Sequence, residues 1–212
     1  SRRGSAGAFA LYAAASLLLF GRDVLRDPAG SVVGSWGHDQ GFFMWSLTWW
    51  THVLGEGVNP FLTDRIYAPD GFNLAWATII PGPGLLLSPI TATLGPVVAY
   101  NVLALAAPAL AAWTAFLLCR HVTGAYWPSV AGGWTFGFSS YLLGQTLNHV
   151  NLALVFLLPV IALLVLRHAQ GEIGGRRFVA SLTAALLGQF LIFLEVFMTM
   201  TIAGAVALVL AL

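Results

Sequence analysis

The stretch from Val97 to Cys119 reads VVAYNVLALAAPALAAWTAFLLC and carries no charged side chain. A helix needs about 20 predominantly apolar residues to cross the hydrocarbon core of a bilayer. Arg120 and His121 end the run, and polar or aromatic residues commonly mark the end of a membrane span. The stretch therefore predicts one transmembrane helix and sets the pattern for reading the rest of the chain.

The whole chain shares this apolar character. Of its 212 residues, 58% are hydrophobic and 8% are charged, whereas soluble domains are about 25% charged. Lipid offers no hydrogen-bond partner, so a chain of this kind is expected to form helices that satisfy their own backbone groups. We therefore expect an all-α, polytopic transmembrane helical bundle, with residues 1–212 as one domain and membrane lipid around it.

Applied along the chain, the length rule gives about five or six spans. The last two come from one apolar stretch that is too long for a single crossing. Glu195 is the only charged residue in that stretch and marks the expected turn. One long helix that holds Glu195 inside the protein is the alternative. The predicted spans cover residues 6–21, 97–119, 127–143, 150–166, 178–194 and 197–212.

Residues 22–96 form one long loop with juxtamembrane helices. Aromatic residues recur at helical spacing from Phe42 to Trp50, and this pattern predicts a helix in the plane of the membrane interface. Residues 84–94 are too few to span and predict a re-entrant or interfacial helix.

The arginines give an orientation. Six of them fall on one side of the predicted spans, so the positive-inside rule places the amino terminus in the cytoplasm and the long loop outside. The other three each have an aspartate beside them. The six are Arg2, Arg3, Arg120, Arg167, Arg176 and Arg177, and the three are Arg22, Arg26 and Arg65.

Charge and cysteine content exclude other classes. The formal net charge of +1 provides no basic field for nucleic acid. A single cysteine, Cys119, allows neither an intrachain disulfide nor a cysteine metal cluster. Because the chain begins with Ser-Arg-Arg and ends within an apolar run, we expect it to be part of a longer protein.

Asp39 is the leading candidate for chemistry. With His38 and Gln40 it stands between Gly37 and Gly41, just before the expected interfacial helix. A carboxylate there can cap the helix and satisfy its first N–H groups. It can also act as a general base or orient a hydroxyl at the membrane surface, helped by His38. Both interpretations stay open at this stage.

Two further polar features are expected on the same outer face. One is the link from Asn148 to Asn151, and the other is Glu195. An ionisable group among membrane residues is costly and suggests a functional site, although Glu195 could also be a structural acid that is hydrogen-bonded to Gln189, Thr199 or Thr201. No histidine or carboxylate spacing predicts a metal site.

These motifs resemble the amino-terminal portion of the GT-C superfamily of membrane glycosyltransferases, which includes protein O-mannosyltransferases and bacterial aminoarabinose transferases. The likeness lies in a short first span, a long outer loop with an acidic residue near its start, and paired spans after it. The residues that carry it are Gly37-His38-Asp39-Gln40-Gly41, Asn59-Pro60-Phe61, Ala68-Pro69-Asp70-Gly71-Phe72-Asn73-Leu74 and Asn148-His149-Val150-Asn151.

The resemblance implies a transferase of the bacterial plasma (inner) membrane that moves a sugar from a polyprenyl-phosphate donor to an acceptor on the outer face. Asp39 takes the catalytic role of activating the acceptor. Relatives carry a second acidic residue where this chain has Asn148, His149 and Asn151, and Glu195 is the candidate for that missing charge. No cofactor is required by the sequence, and a divalent metal is left open. The implied substrate-binding residues are His38, Gln40, Arg65, Asn148, His149, Asn151 and Glu195.

Two other functions compete with this one. The chain could be a non-catalytic subunit or scaffold packed against other membrane subunits, since small residues such as Gly132, Gly133 and Gly137 let helices approach closely. It could also be a transporter or flippase, with Glu195 and the link after Asn148 lining a path. Secondary transporters usually show two similar halves, and this sequence has no internal repeat.

Overall fold

The computed structural model describes residues 2–35 and 37–210, which are mostly helical with one two-residue antiparallel strand pair. The all-α prediction is therefore confirmed. The elements are α1 (Arg2–Phe20), α2 (His38–Glu56), β1 (Leu62–Thr63), β2 (Phe72–Asn73), a short 3-10 turn (Leu74–Trp76), α3 (Pro81–Leu86), α4 (Ser88–Leu94), α5 (Pro96–Thr123), α6 (Tyr126–Gly137), α7 (Ser140–Asn148), α8 (Val150–Ala153), α9 (Leu157–Ala169), α10 (Gly175–Ile192) and α11 (Leu194–Leu210).

Proline and glycine set several helix ends. Helices α3, α4 and α5 each have a proline in their first two positions, where its missing N–H costs no helical hydrogen bond. Helices α2 and α5 end at Gly57 and Gly124 in the left-handed conformation, which glycine adopts without steric cost. The boundaries of α5 thus follow directly from Pro96 and Gly124.

Helix α5 is the centre of the bundle, with 13 of its 28 residues buried. Gly133 and Gly137 of α6 lie directly against it. A Cβ atom at Gly137 would stand 2.4 Å from the Cβ of Ala112 and 2.6 Å from the carbonyl oxygen of Pro108. Glycines four residues apart therefore let the two helices meet at backbone distance.

Helices α1, α5 and α6 alternate in direction. Ser16 near the end of α1 donates to the Leu105 carbonyl at 2.7 Å, and Trp113 further along α5 donates to Ser5 near the start of α1 at 3.0 Å. Helix α6 starts beside the last turn of α5 and, at its own end, reaches Pro108. Helices α1 and α6 are therefore both antiparallel to α5.

The later helices continue this alternation. At the end of α9, Gln170 bonds His121 of α5 at 2.7 Å, so α9 runs parallel to α5. The ring of His168 stacks on Phe178 of α10 at 4.3 Å, while Gln189 near the other end of α10 donates to the Leu154 carbonyl. Helix α10 is therefore antiparallel to α9.

This alternation gives the bundle two ends, which we name by one residue each. At the Arg120 end, α5 and α9 finish and α6 and α10 start. At the Asp39 end, α1 and α10 finish, α5 starts, and α7 turns into α8 at His149.

Helices α2, α3 and α4 pack at the Asp39 end. Phe43 and Leu47 of α2 join Tyr100 and Leu103 of α5 in the main core. On another face of α2, Trp45 and Trp49 stack with ring planes 7° apart, and the loop after α2 covers this aromatic face. The predicted helix at 84–94 is two short helices, because Leu87 interrupts it.

Helix breaks interrupt the third and fourth predicted spans. The third is interrupted at Phe138 and Ser139, and the link expected at 144–149 is helical as far as Asn148. The fourth is interrupted between Ala153 and Leu157. The buried side chain of Gln189 donates to the freed carbonyl of Leu154 at 3.4 Å, which offsets part of the cost of that break.

The remaining span boundaries shift slightly. Helix α1 extends toward Arg2 rather than beyond Phe20. The long last stretch is two helices and not one, but the break falls at Phe193, whose extended backbone (φ −163°, ψ 122°) ends α10. Glu195 therefore lies in the first turn of α11 rather than in the turn itself.

Two segments in the described part of the chain, Pro96–Thr123 and Val150–Ala169, are long and apolar enough to cross a membrane. Only 33% of the second is buried within the protein. A core helix of a water-soluble protein would hide its apolar surface, and large exposed apolar patches mark contacts with lipid or partners.

Candidate functional site

Helix α2 begins one turn earlier than the sequence suggested, and this places Asp39 inside it. The residue before the helix is Gly37, which has no side chain to act as a cap. Asp39 and Gln40 therefore occupy the first turn, not the residues before it. No side-chain capping bond forms at this end, although a negative charge in the first turn still interacts favourably with the helix dipole.

Asp39 instead pairs with His149. The Nε2 atom of His149 lies 3.0 Å from Oδ2 of Asp39, and the two side chains are 48% and 53% exposed. His149 is the only non-helical residue between α7 and α8. The pair therefore joins the start of α2 to the link between α7 and α8, while Oδ1 of Asp39 has no partner among the described residues.

Gln40, the residue after Asp39, helps to fix the position of the pair. Its side chain is 3% exposed, and its Nε2 donates to the Leu147 carbonyl at 2.9 Å. Gly34 reaches the same carbonyl, since a Cβ atom there would stand 2.1 Å from that oxygen. The loop before α2 and the end of α7 are thus in backbone contact, which fixes the separation of Asp39 and His149.

Asn101 of α5 fastens the same loop and was missed in the sequence. Its Oδ1 accepts from the Val33 N–H at 2.9 Å, and its Nδ2 donates to the carbonyls of Pro28 and Ser31 at 3.1 and 2.8 Å. The residue is 2% exposed. An asparagine inside an apolar span was itself the available signal, because polar groups there are costly unless they have partners.

Tyr100, the residue beside Asn101, also faces this region. Its side chain is fully buried, its hydroxyl has no hydrogen-bond partner among the described residues, and it lies within electrostatic range of the Asp39 carboxylate. Unpartnered buried polar atoms are uncommon and call for an explanation. Here they also occur on α7 and α8, at Gln145 Oε1, Thr146 Oγ1 and Asn151 Oδ1.

The two asparagines of the predicted link differ in exposure. Asn148 is exposed, and its side chain bonds the Gly144 carbonyl in its own helix at 2.9 Å. Asn151 is 4% exposed, whereas Asp39 and His149 are about half exposed. Of the two, only Asn148 can meet a ligand at the protein surface without a rearrangement.

Arg65 and Glu195 are not brought to the pair. The backbone N–H of Arg65 bonds Thr63 within its own turn, and no described contact joins Arg65 to Asp39. Glu195 lines cavities with Ser139 and with Trp76, and it has no bond to Gln189. Of the polar features that were expected to come together, only Asp39 of the loop and His149 of the link are in contact. The side chain of His38 lies outside the described residues.

Within the described residues, no group of three or more histidine, cysteine, aspartate or glutamate side chains could hold a metal ion. The site at the Asp39 end is therefore a carboxylate and imidazole pair, framed by Gln40, Asn101 and the unpartnered hydroxyl of Tyr100. Such a pair can accept a proton or orient a hydroxyl group. Comparison of the chain with protein-family models, curated proteins and solved structures finds no match.

Proposed function

We propose that the chain is a polytopic membrane protein of five or six spans, with the Asp39 end outside and the amino terminus in the cytoplasm. Two segments of spanning length and the alternating helix directions support this arrangement. So does the charge distribution, because Arg120, Arg167, Arg176 and Arg177 lie on segments of the Arg120 end. The described arginines of the Arg120 end fit the positive-inside rule.

Thiol labelling tests this orientation. Cys119 is the only native cysteine, so Cys119→Ala gives a background without thiols. Asp70→Cys and Glu172→Cys then place one exposed thiol at each end. A maleimide that does not cross membranes should label the first variant in intact cells and the second only after permeabilisation. Labelling of both from the same side would contradict the proposal.

For the chemistry, we propose sugar transfer of the GT-C kind from a polyprenyl-phosphate donor at the outer surface, in the bacterial plasma membrane. The observation that carries it is the Asp39 to His149 contact of 3.0 Å. His149 holds Oδ2, so Oδ1 remains available to the acceptor hydroxyl. Asp39 is the proposed general base, and His149 positions it.

The reaction would be one displacement at the anomeric carbon. Asp39 accepts the proton of the acceptor hydroxyl as the acceptor oxygen forms its bond to that carbon. The bond from the anomeric carbon to the phosphate oxygen breaks, and its electron pair leaves with the polyprenyl phosphate. Arg65 has no part in this scheme, since no described contact brings it to the pair.

The test measures transfer of a radiolabelled sugar from polyprenyl phosphate by membranes that contain the protein. Asp39→Asn keeps the shape of the side chain but removes its basicity, and a lost general base typically costs about 10²- to 10⁴-fold in rate. Asp64→Asn, another exposed aspartate of the loop, is the matched control and should retain activity. Full activity in Asp39→Asn, at equal amounts of inserted protein, would exclude the mechanism.

If no polyprenyl-phosphate sugar is consumed by the wild-type protein, the catalytic proposal is wrong and the scaffold function is favoured. Helix α11 provides the surface for such a role, because it is strongly apolar and none of its residues is buried.

A further inference from the structure

A cavity whose wall includes neither Asp39 nor His149 lies beside the start of α11. Its volume is about 380 Å³, and its wall includes Phe136, Ser139, Tyr141, Val155, Glu195 and Thr199. We call it the Glu195 cavity. The rest of its wall is leucine and valine, so the cavity combines an apolar surface with one carboxylate and three hydroxyl groups. Ligand sites in proteins commonly have this composition and a volume of about 300 to 1,000 Å³.

Three helix interruptions meet at this cavity. Ser139 lies in the break between α6 and α7, Val155 lies in the break between α8 and α9, and Glu195 follows the break at Phe193. Within a membrane, non-helical backbone is tolerated where it is buried in protein or lines a polar cavity. Broken helices also surround the substrate sites of many membrane proteins, which indicates a site for a ligand.

The charge of the cavity indicates the ligand class. Glu195 has no hydrogen-bond or ion-pair partner among the described residues, and no arginine or histidine lines the cavity. The start of α11 offsets only part of its charge, because a helix end carries about half a unit charge. A neutral ligand that covers the exposed carboxylate and removes its water would leave the remaining charge unpaired, and an anionic one would be repelled. A cation would neutralise it.

We propose that the Glu195 cavity binds a primary ammonium group carried on a short apolar chain. The ammonium group pairs with the Glu195 carboxylate, with the Thr199 hydroxyl beside it in the wall. The rings of Phe136 and Tyr141 receive the chain and attract the cation through their faces. This site is separate from the proposed sugar transfer at Asp39, and either can hold without the other.

The test uses protein in nanodiscs of phosphatidylcholine and phosphatidylglycerol, which contain no primary amine. Titration calorimetry with n-hexylammonium should show one saturable site per chain, and 1-hexanol, its neutral counterpart, should show none. Glu195→Gln should weaken hexylammonium binding by about tenfold or more. Glu172→Gln, an exposed glutamate at the Arg120 end, is the matched control and should bind as the wild type does.

A second variant separates the cavity from simple charge attraction. Thr199→Trp fills the cavity and leaves the carboxylate in place, so it should also abolish saturable binding. Equal binding of 1-hexanol, retained binding in Glu195→Gln, or unchanged binding in Thr199→Trp would each overturn the proposal. Glu195 is exposed and without a partner, so its replacement should not affect folding, which circular dichroism would verify.

The ammonium group could come from a soluble amine or from a lipid headgroup. Nanodiscs that contain phosphatidylethanolamine distinguish these sources. If the headgroup occupies the cavity, the apparent affinity for hexylammonium falls as the fraction of this lipid rises. If the natural ligand is a soluble amine, the affinity is unchanged. Both results keep the ammonium site and differ only in its occupant.

Discussion

The two ends of the bundle are held by different kinds of contact. At the Asp39 end, Asn101 accepts a hydrogen bond from Val33, 68 positions away. Gln40 donates one to the carbonyl of Leu147, 107 positions away. At the Arg120 end, bonds such as those of Arg167 and His168 join residues five positions apart. Two bonds there are long-range exceptions, one between His121 and Gln170 and one between Trp113 and Ser5. One end is assembled by docking of a distant loop, and the other mostly by local turns.

This difference predicts where substitutions matter. A local turn forms with the helix that it ends, so the loss of one of its bonds changes little else. The loop before α2 has its place only through its contacts with α5 and α7, and each buried bond there has a partner that would be left unsatisfied. We therefore expect stability to depend strongly on side chains of the Asp39 end and weakly on those of the Arg120 end.

The largest effect is expected for Asn101→Leu. Leucine fills a similar volume but leaves one N–H and two carbonyl groups of the loop without partners, and each unsatisfied buried group costs about 1 to 3 kcal/mol. The free energy of unfolding in detergent micelles should fall by at least about 3 kcal/mol, as measured by SDS titration with circular dichroism. Asn148→Leu removes one exposed bond and should change it by less than about 1 kcal/mol.

Equal effects of the two asparagine substitutions would contradict the comparison. In that case the loop would be held by its apolar contacts, such as those of Val33 in the core, and not by the polar clamp.

Gly34→Ala should have the next largest effect. The backbone of Gly34 has φ +90° and a Cβ atom would collide with the Leu147 carbonyl, so alanine there combines strain with displacement of the loop from α7. Gly57→Ala is a close control, since φ is +67° with nothing within 4 Å. Left-handed strain alone costs about 1 to 2 kcal/mol. The same unfolding measurement should show a clearly larger loss for Gly34→Ala, and equal losses would mean that the loop moves away at no cost.

The same contrast explains what the sequence could predict about the fold. The ends of α5 follow from Pro96 and Gly124 because both act locally. The break at Phe193 lies two residues before Glu195, whose charge marked the expected turn. The break at Ser139 does not follow from the sequence, since no proline or charge marks the place. Breaks of this kind depend on partners elsewhere in the chain, such as the Gln189 side chain that bonds Leu154.

The functional site, like the fold, could be predicted from the sequence only in part. Asp39 and His149 could each be chosen because ionisable groups are rare in this chain, and the predicted orientation put them on one face. Their contact could not be derived, because it needs α2 to start at His38 and α7 to continue to Asn148. Asn101 could have been chosen as a polar residue inside an apolar span, but its partners could not, because backbone groups of a distant loop leave no pattern in the sequence.

The smallest effects on stability are expected at the two ion pairs, and here the ends should behave alike. The pair of Asp39 and His149 and the pair of Arg167 and Glu172 are both about half exposed, and exposed pairs contribute about 0 to 1 kcal/mol. His149→Gln and Glu172→Gln should therefore each lower the free energy of unfolding by less than about 1 kcal/mol. The rate of sugar transfer should fall in His149→Gln and not in Glu172→Gln, because only His149 positions the proposed base. A destabilisation well above 1 kcal/mol in His149→Gln alone would instead make the contact one more docking bond of the loop, and its link to catalysis would be lost.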